Sequence, residues 1–124
     1  MITFVGAGSG DPELITIKGA KKLGEADAVI YAGSLVNPAI LTHAKQGAAI
    51  YNSASMTLDE VIAVMAPAAQ AGQKVVRLHT GDPSIYGAIR EQMDRLDVLG
   101  LEYEVVPGVS SFVASAAALK KEFT

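Results

Sequence analysis

Apolar residues along the chain fall into short runs, separated by stretches in which they recur every three or four positions. The runs are residues 2–5, 28–31, 48–51, 75–78 and 103–106, interrupted by Thr3, Arg77 and Glu104. Each is about four residues long and ends at glycine, alanine or another turn former. A mostly apolar run of this length predicts a strand buried on both faces, because a half-exposed strand would alternate apolar and polar. Between the runs the spacing changes to that of a helix. Leu14, Ile17, Ala20 and Leu23 predict a helix over 14–25. Asn37 and Pro38 suit the cap and first position of a short helix that stops near Gly47. Thr57 with Glu60 is a capping-box pair ahead of Val61, Ile62, Val64 and Met65, with a possible kink at Pro67 and an end at Gly72. Ile85, Ile89, Met93, Leu96 and Leu99 predict one helix over 85–99, ended by Gly100. Ser110 or Ser111 caps a final alanine-rich helix to about Leu119.

Five strand–helix repeats predict an α/β domain: a five-stranded, mainly parallel sheet, doubly wound, with helices on both faces. The 124 residues suit one such domain. With 50% hydrophobic residues there is enough apolar material for a core. The net charge of −3 and the absence of a basic stripe speak against a nucleic-acid surface. No cysteine is present, which removes disulfides, zinc–thiolate sites and a cysteine nucleophile. The two histidines, His43 and His79, share no metal-ligand spacing, and no metal is expected. The start reads as a first strand and not as a leader, and no run of about 18 apolar residues is available to cross a membrane. A cytoplasmic protein is the expectation.

In an open parallel sheet, ligands bind beyond the carboxyl ends of the strands. Four segments fall there. Gly6-Ala7-Gly8-Ser9-Gly10-Asp11-Pro12 follows the first strand. Its glycines allow close backbone approach to a ligand. It is not a dinucleotide fingerprint, since the third glycine of G-x-G-x-x-G falls at Asp11, whose carboxylate would repel a pyrophosphate. The acid that would hold the ribose is also missing, because Tyr31-Ala32 stands there, and no phosphate-binding G-x-x-x-x-G-K-[ST] loop exists. Thr80-Gly81-Asp82-Pro83-Ser84-Ile85-Tyr86-Gly87 follows the fourth strand, and Asp82 either presents a carboxylate to a ligand or caps the next helix. Pro107-Gly108-Val109-Ser110-Ser111 follows the fifth strand and sets two hydroxyls at a helix start. Tyr31-Ala32-Gly33-Ser34-Leu35-Val36-Asn37-Pro38 follows the second and leaves space at the rim.

Together, in this order, these segments resemble the tetrapyrrole methyltransferase superfamily. The resemblance covers essentially the whole chain. Val5 to Leu14 with Thr16-Ile17-Lys18-Gly19 looks like the family's opening signature, Gly81-Asp82-Pro83 with Tyr86-Gly87 like its central one, and residues 107–111 like the motif that closes its first domain. The segments 31–38 and 78–92 are most similar to the branch that methylates C-11 of precorrin-4 or cobalt-precorrin-4. Two departures stand out: Ala32-Gly33 replaces the Asp-Arg usual in uroporphyrinogen-III methyltransferases, and Ser9 stands where many members carry proline.

The resemblance implies an enzyme that transfers a methyl group from S-adenosylmethionine to a ring carbon of a corrin precursor in cobalamin biosynthesis. It implies that residues 1–124 are the amino-terminal domain of a two-domain methyltransferase whose second domain is absent from this chain, and that members form homodimers. Cofactor contacts by resemblance are Ser9, Thr80, Gly81, Asp82, Ile85, Ser110 and Ser111. The corrinoid would lie near Gly8, Asp11, Ala32, Gly33 and Ser34. No catalytic base is evident. Lys18, Arg77 and Arg90 are read as solvated surface charges, available at most as local partners for the substrate's carboxylates. Methylation of another position or of uroporphyrinogen, a dinucleotide-binding domain and a non-catalytic scaffold remain as alternatives.

Overall fold

Hydrogen bonding joins five parallel strands into one sheet in the computed structural model, which describes residues 1–124 apart from the side chains of Ser34 and Tyr86. The strands are β1 (Ile2–Gly6), β2 (Ala28–Tyr31), β3 (Ala49–Asn52), β4 (Val75–His79) and β5 (Tyr103–Val106), in the spatial order β3-β2-β4-β1-β5. The helices are α1 (Ile17–Glu25), α2 (Leu58–Gln70), α3 (Pro83–Tyr86), α4 (Ile89–Val98) and α5 (Ser111–Leu119). Short 3-10 segments cover Pro12–Leu14, Gly33–Leu35 and Pro38–His43.

The side-chain alternation of the strands builds two cores. On one face Val5, Val29, Val76, Leu78 and Val106 pack with Leu23 of α1 and with Ile40. On the other, Ile2, Phe4, Ile30 and Val75 pack with Ile62 and Met65 of α2 and Leu96 of α4. The mostly apolar strand runs are therefore explained at β1, β2 and β4, which are covered on both faces. They are not explained at β3. It is an edge strand, and all four of its residues are exposed, Ile50 and Tyr51 among them.

Three predicted helices are resized. The first begins at Ile17 and not at Leu14, because the Thr16 hydroxyl accepts from Gly19 N at 2.9 Å and starts the helix there. Pro38–His43 is 3-10 in character, with Asn37 capping as expected. The helix predicted over 85–99 is two pieces, α3 and α4. A Cβ on Gly87 would fall 2.5 Å from the Pro83 carbonyl oxygen, and Ala88 takes a left-handed conformation with φ 49°. The break reorients the chain, so Ile85 is 65% exposed while Ile89, four positions later, is buried. The Thr57–Glu60 capping box is present in both directions, and Ser110 caps α5.

The crossovers reverse at one place. From β1 the chain moves toward β2 on one side of the sheet, and from β4 it moves toward β5 on the other, yet β1 and β4 are neighbours. That switch point leaves a crevice at their carboxyl ends.

A left-handed alanine costs roughly 1–2 kcal/mol, which glycine avoids while losing some unfolded-state advantage. We expect Ala88→Gly to raise the unfolding free energy by about 0.5–1 kcal/mol in urea titration; a loss of stability would contradict the strained-break reading.

Candidate ligand-binding site at the switch point

The turns after β1, β4 and β5 meet at this crevice. Gly8 and Gly81 form an antiparallel bridge: Gly81 N donates to Gly8 O at 2.7 Å and Gly8 N to Gly81 O at 3.3 Å. Both glycines have positive φ, 85° and 59°, which a side chain would strain. Ala7 N donates to His79 O at 2.7 Å. The third turn packs against the other two without room for a side chain: a Cβ on Gly108 would lie 2.2 Å from Gly81 O, and one on Gly6 2.6 Å from Gly108 Cα. Asp82 ties the assembly together. Its Oδ1 accepts from Gly108 N at 2.8 Å and its Oδ2 from Ser84 N at 2.8 Å.

The structure thus brings Ser9, Thr80, Gly81, Asp82 and Ser110 to one rim, as the sequence suggested. Asp82 is a helix cap and a turn-to-turn clamp, with each oxygen already accepting a backbone N–H. Ser110 is 8% exposed and spends its hydroxyl on Phe112 N at 3.2 Å, while Ser111 is exposed. Asp11 caps the 3-10 segment that follows it by accepting from Glu13 N. The Asn37 amide donates to Gly10 O at 2.7 Å and so pins the first loop to the segment after β2. Gly33 is buried with φ 71°, against Ala54. The side chain of Ser34 lies outside what is described.

Beneath α3 and the start of α4 lies an open cavity of about 760 Å³. Its wall includes Ala32, Leu35, Thr80, Ile85 and Arg90, and its sheet side is Arg77 and His79. Leu35 and Ile85, both 65% exposed, present apolar surface at the cavity. Here the sequence reading needs correction. Arg77 is not a solvated charge: it is 7% exposed, and its Nε–H donates to Gln92 Oε1 at 3.1 Å and its Nη1 to Ile30 O at 3.2 Å. Burial lowers its pKa to about 10. His79 went unassigned by sequence reasoning. It is 4% exposed, stacks on Phe4 with ring centroids 6.0 Å apart, and burial together with the Arg77 charge lowers its pKa to about 3. The available signal was position: 75, 77 and 79 share one strand face. Lys18 and Arg90 are exposed, as expected.

A dinucleotide site does not fit. Such a site presents a helix amino terminus at the glycine turn. Here a 3-10 segment intervenes, and α1 starts six residues past Asp11, closed by Thr16.

The chain matches the family described as Tetrapyrrole (Corrin/Porphyrin) Methylases over residues 1–124, and it belongs to that family. It is 61% identical over 123 residues to the cobalt-precorrin-4 C(11)-methyltransferase of Methanocaldococcus jannaschii, covering 99% of this chain and 48% of that relative. It is 44% identical to the precorrin-4 C(11)-methyltransferase of Rhodococcus erythropolis, covering 99% and 49%. The X-ray structure of a cobalt precorrin-4 methyltransferase of cobalamin biosynthesis superimposes with a TM-score of 0.96 at 48% identity, covering 99% of this chain and 52% of that one. A uroporphyrin-III C-methyl transferase from Thermus thermophilus, complexed with S-adenyl homocysteine, gives 0.78 at 39%, covering 93% and 47%. The chain spans about half the length of these relatives.

Asp82→Ala removes a cap and a charged acceptor, so unfolding should become easier by roughly 2–3 kcal/mol, with Asp82→Asn milder; an unchanged urea midpoint would show that the clamp is not used. His79 sets a pH dependence. Its folded pKa lies below the unfolded value of about 6.5, so the unfolded chain binds the extra proton. Stability should fall from about pH 6.5 toward pH 3, by up to about 1.4 kcal/mol per pH unit relative to His79→Gln. Parallel stability–pH curves for the two proteins would contradict this.

Proposed function

We propose that residues 1–124 are the amino-terminal domain of a two-domain enzyme that transfers a methyl group from S-adenosylmethionine to C-11 of precorrin-4 or cobalt-precorrin-4. The observation that carries this reading is the convergence of the 6–12, 80–87 and 107–111 turns on one rim, in a chain 61% identical to a cobalt-precorrin-4 C(11)-methyltransferase. The rim offers backbone groups and hydroxyls and no phosphate grip, which suits a sulfonium nucleoside. Ser9, Thr80, Gly81, Asp82, Ile85, Ser110 and Ser111 would face the cofactor. Gly8, Asp11, Ala32, Gly33 and Ser34 would face the ring. In-line placement of the methyl between sulfur and ring carbon is the main task of such a site, and positioning of this kind can contribute roughly 7–11 kcal/mol.

The surface of α5 supports a missing second domain. None of its residues is buried. Phe112 and Phe123 stack at 4.4 Å and are 61% and 62% exposed, beside Val113 and Leu119. An apolar patch of this kind suits a face that a further domain would cover. It would also serve a homodimer. A second reading, methylation of uroporphyrinogen III, draws on 40% identity to the uroporphyrinogen-III C-methyltransferase of Cyanidium caldarium; the higher identity to C-11 enzymes favours the first.

The test pairs the two forms of the protein. The full-length polypeptide containing this chain should methylate precorrin-4 or its cobalt form at C-11, as read by mass and carbon-13 spectra of the product. The 124-residue chain alone should fold and leave both substrates unchanged. Micromolar or tighter binding of S-adenosylhomocysteine by the short chain in calorimetry would show the second domain to be dispensable for the cofactor.

A further inference from the structure

Arg77 and His79 stand out because the fold gives them too little to do. A buried cation is costly unless paired, and a buried polar nitrogen is costly unless hydrogen-bonded. Arg77 is met only by neutral acceptors, the Gln92 amide oxygen and the Ile30 carbonyl; among the described residues no carboxylate pairs with it. His79 Nε2 is buried with no hydrogen-bond partner. The two side chains lie on the same face of β4, two residues apart, and both line the 760 Å³ cavity. The positions beside His79 on the neighbouring strands carry no polar side chain. Gly6, in register with it on β1, has no side chain, and Ala32, where β2 ends beside it, has only a methyl.

We propose that Arg77 and His79 form a carboxylate-recognition subsite on the sheet side of the cavity, which takes one acidic side chain of the tetrapyrrole ring. The inference rests on the reading that this protein acts on such a ring. A carboxylate there would supply the counter-charge that Arg77 lacks and an acceptor for an Nε2–H of neutral His79. Burial and the adjacent guanidinium keep that imidazole uncharged, so it can offer a hydrogen bond without binding a proton from solvent. Leu35, 65% exposed at the cavity, gives apolar surface on which the ring itself would rest. The methionine carboxylate of the cofactor has the same chemistry, and the experiment separates the two sources.

The measurement uses the full-length polypeptide with uroporphyrin III as a stable octacarboxylate probe, its octamethyl ester as the uncharged control, and S-adenosylhomocysteine. The octacarboxylate should bind, and the ester at least about tenfold more weakly, the scale expected for losing a hydrogen bond to a charged group. Arg77→Met and His79→Phe should each weaken uroporphyrin by about tenfold or more while leaving S-adenosylhomocysteine within about twofold. Arg77→Lys and His79→Gln should recover part of the loss. In the unaltered protein the nitrogen-15 resonance of His79 Nε2 should move on adding uroporphyrin and stay put with the ester, a readout that does not depend on a variant folding. Equal affinity for acid and ester, or a silent His79 resonance, would overturn the subsite. Loss of S-adenosylhomocysteine binding in the variants, with uroporphyrin unaffected, would overturn the ring as the source of the carboxylate. Uroporphyrin binding that obeys the pattern in a protein without affinity for S-adenosylhomocysteine would uphold the subsite and sink the methyl-donor reading.

Discussion

The close contact of three glycines is the constraint on which the rest of this structure hangs. Gly6 ends β1, and Gly81 and Gly108 lie two residues beyond β4 and β5; a side chain on Gly6 or Gly108 would overlap a carbonyl or a Cα of the facing turn, and Gly81 sits at a positive φ of 59°. Because that space is empty of side chains, Gly8 and Gly81 can pair across the strand ends and Asp82 can reach Gly108 N. Three turns that would otherwise move separately become one rigid rim. Rigidity would matter for the methyl transfer proposed, since misplacement by about 1 Å can cost about a hundredfold in rate.

The sheet places that rim and also burdens one face. With β4 at the centre of the sheet, Val76 and Leu78 project into one core, while Val75, Arg77 and His79 share the other face, where the cavity lies. Val75 fills core, but Arg77 and His79 occupy positions where a stability-driven sequence would carry valine or leucine. A buried cation and an orphaned imidazole nitrogen side by side are an expense that folding alone does not explain, and both side chains line the cavity. Polar groups that violate burial preferences are expected where function is exercised.

Much of the fold was legible because the strands, buried or not, are written as short, mostly apolar runs. β2 and β5 fall on the predicted residues, and β1, β3 and β4 within one residue. Caps were legible for a local reason: Asn37, Thr57 and Ser110 bond within two or three residues of themselves. What escaped the sequence depended on distant partners. Nothing local reveals that β3 is an edge strand. The α3–α4 break was hidden because Ile85 and Ile89 keep helical spacing across it, while the cause is the steric contact of Gly87 with Pro83. In the candidate site, the glycine turns and Asp82 were legible as a set, although Asp82 proves to be a clamp between turns. Arg77 was misread as solvated because its Gln92 and Ile30 partners lie 15 and 47 residues away.

The central claim is that the three turns form one surface that receives the methyl donor. Its most direct test is an amide nitrogen–proton map of the full-length polypeptide with and without S-adenosylhomocysteine. The account predicts the largest shifts together in residues 6–12, 80–87 and 107–111, with β3 and the amino ends of the strands unmoved. Shifts confined to one of those turns, or centred away from the Gly8–Gly81 bridge, would contradict it.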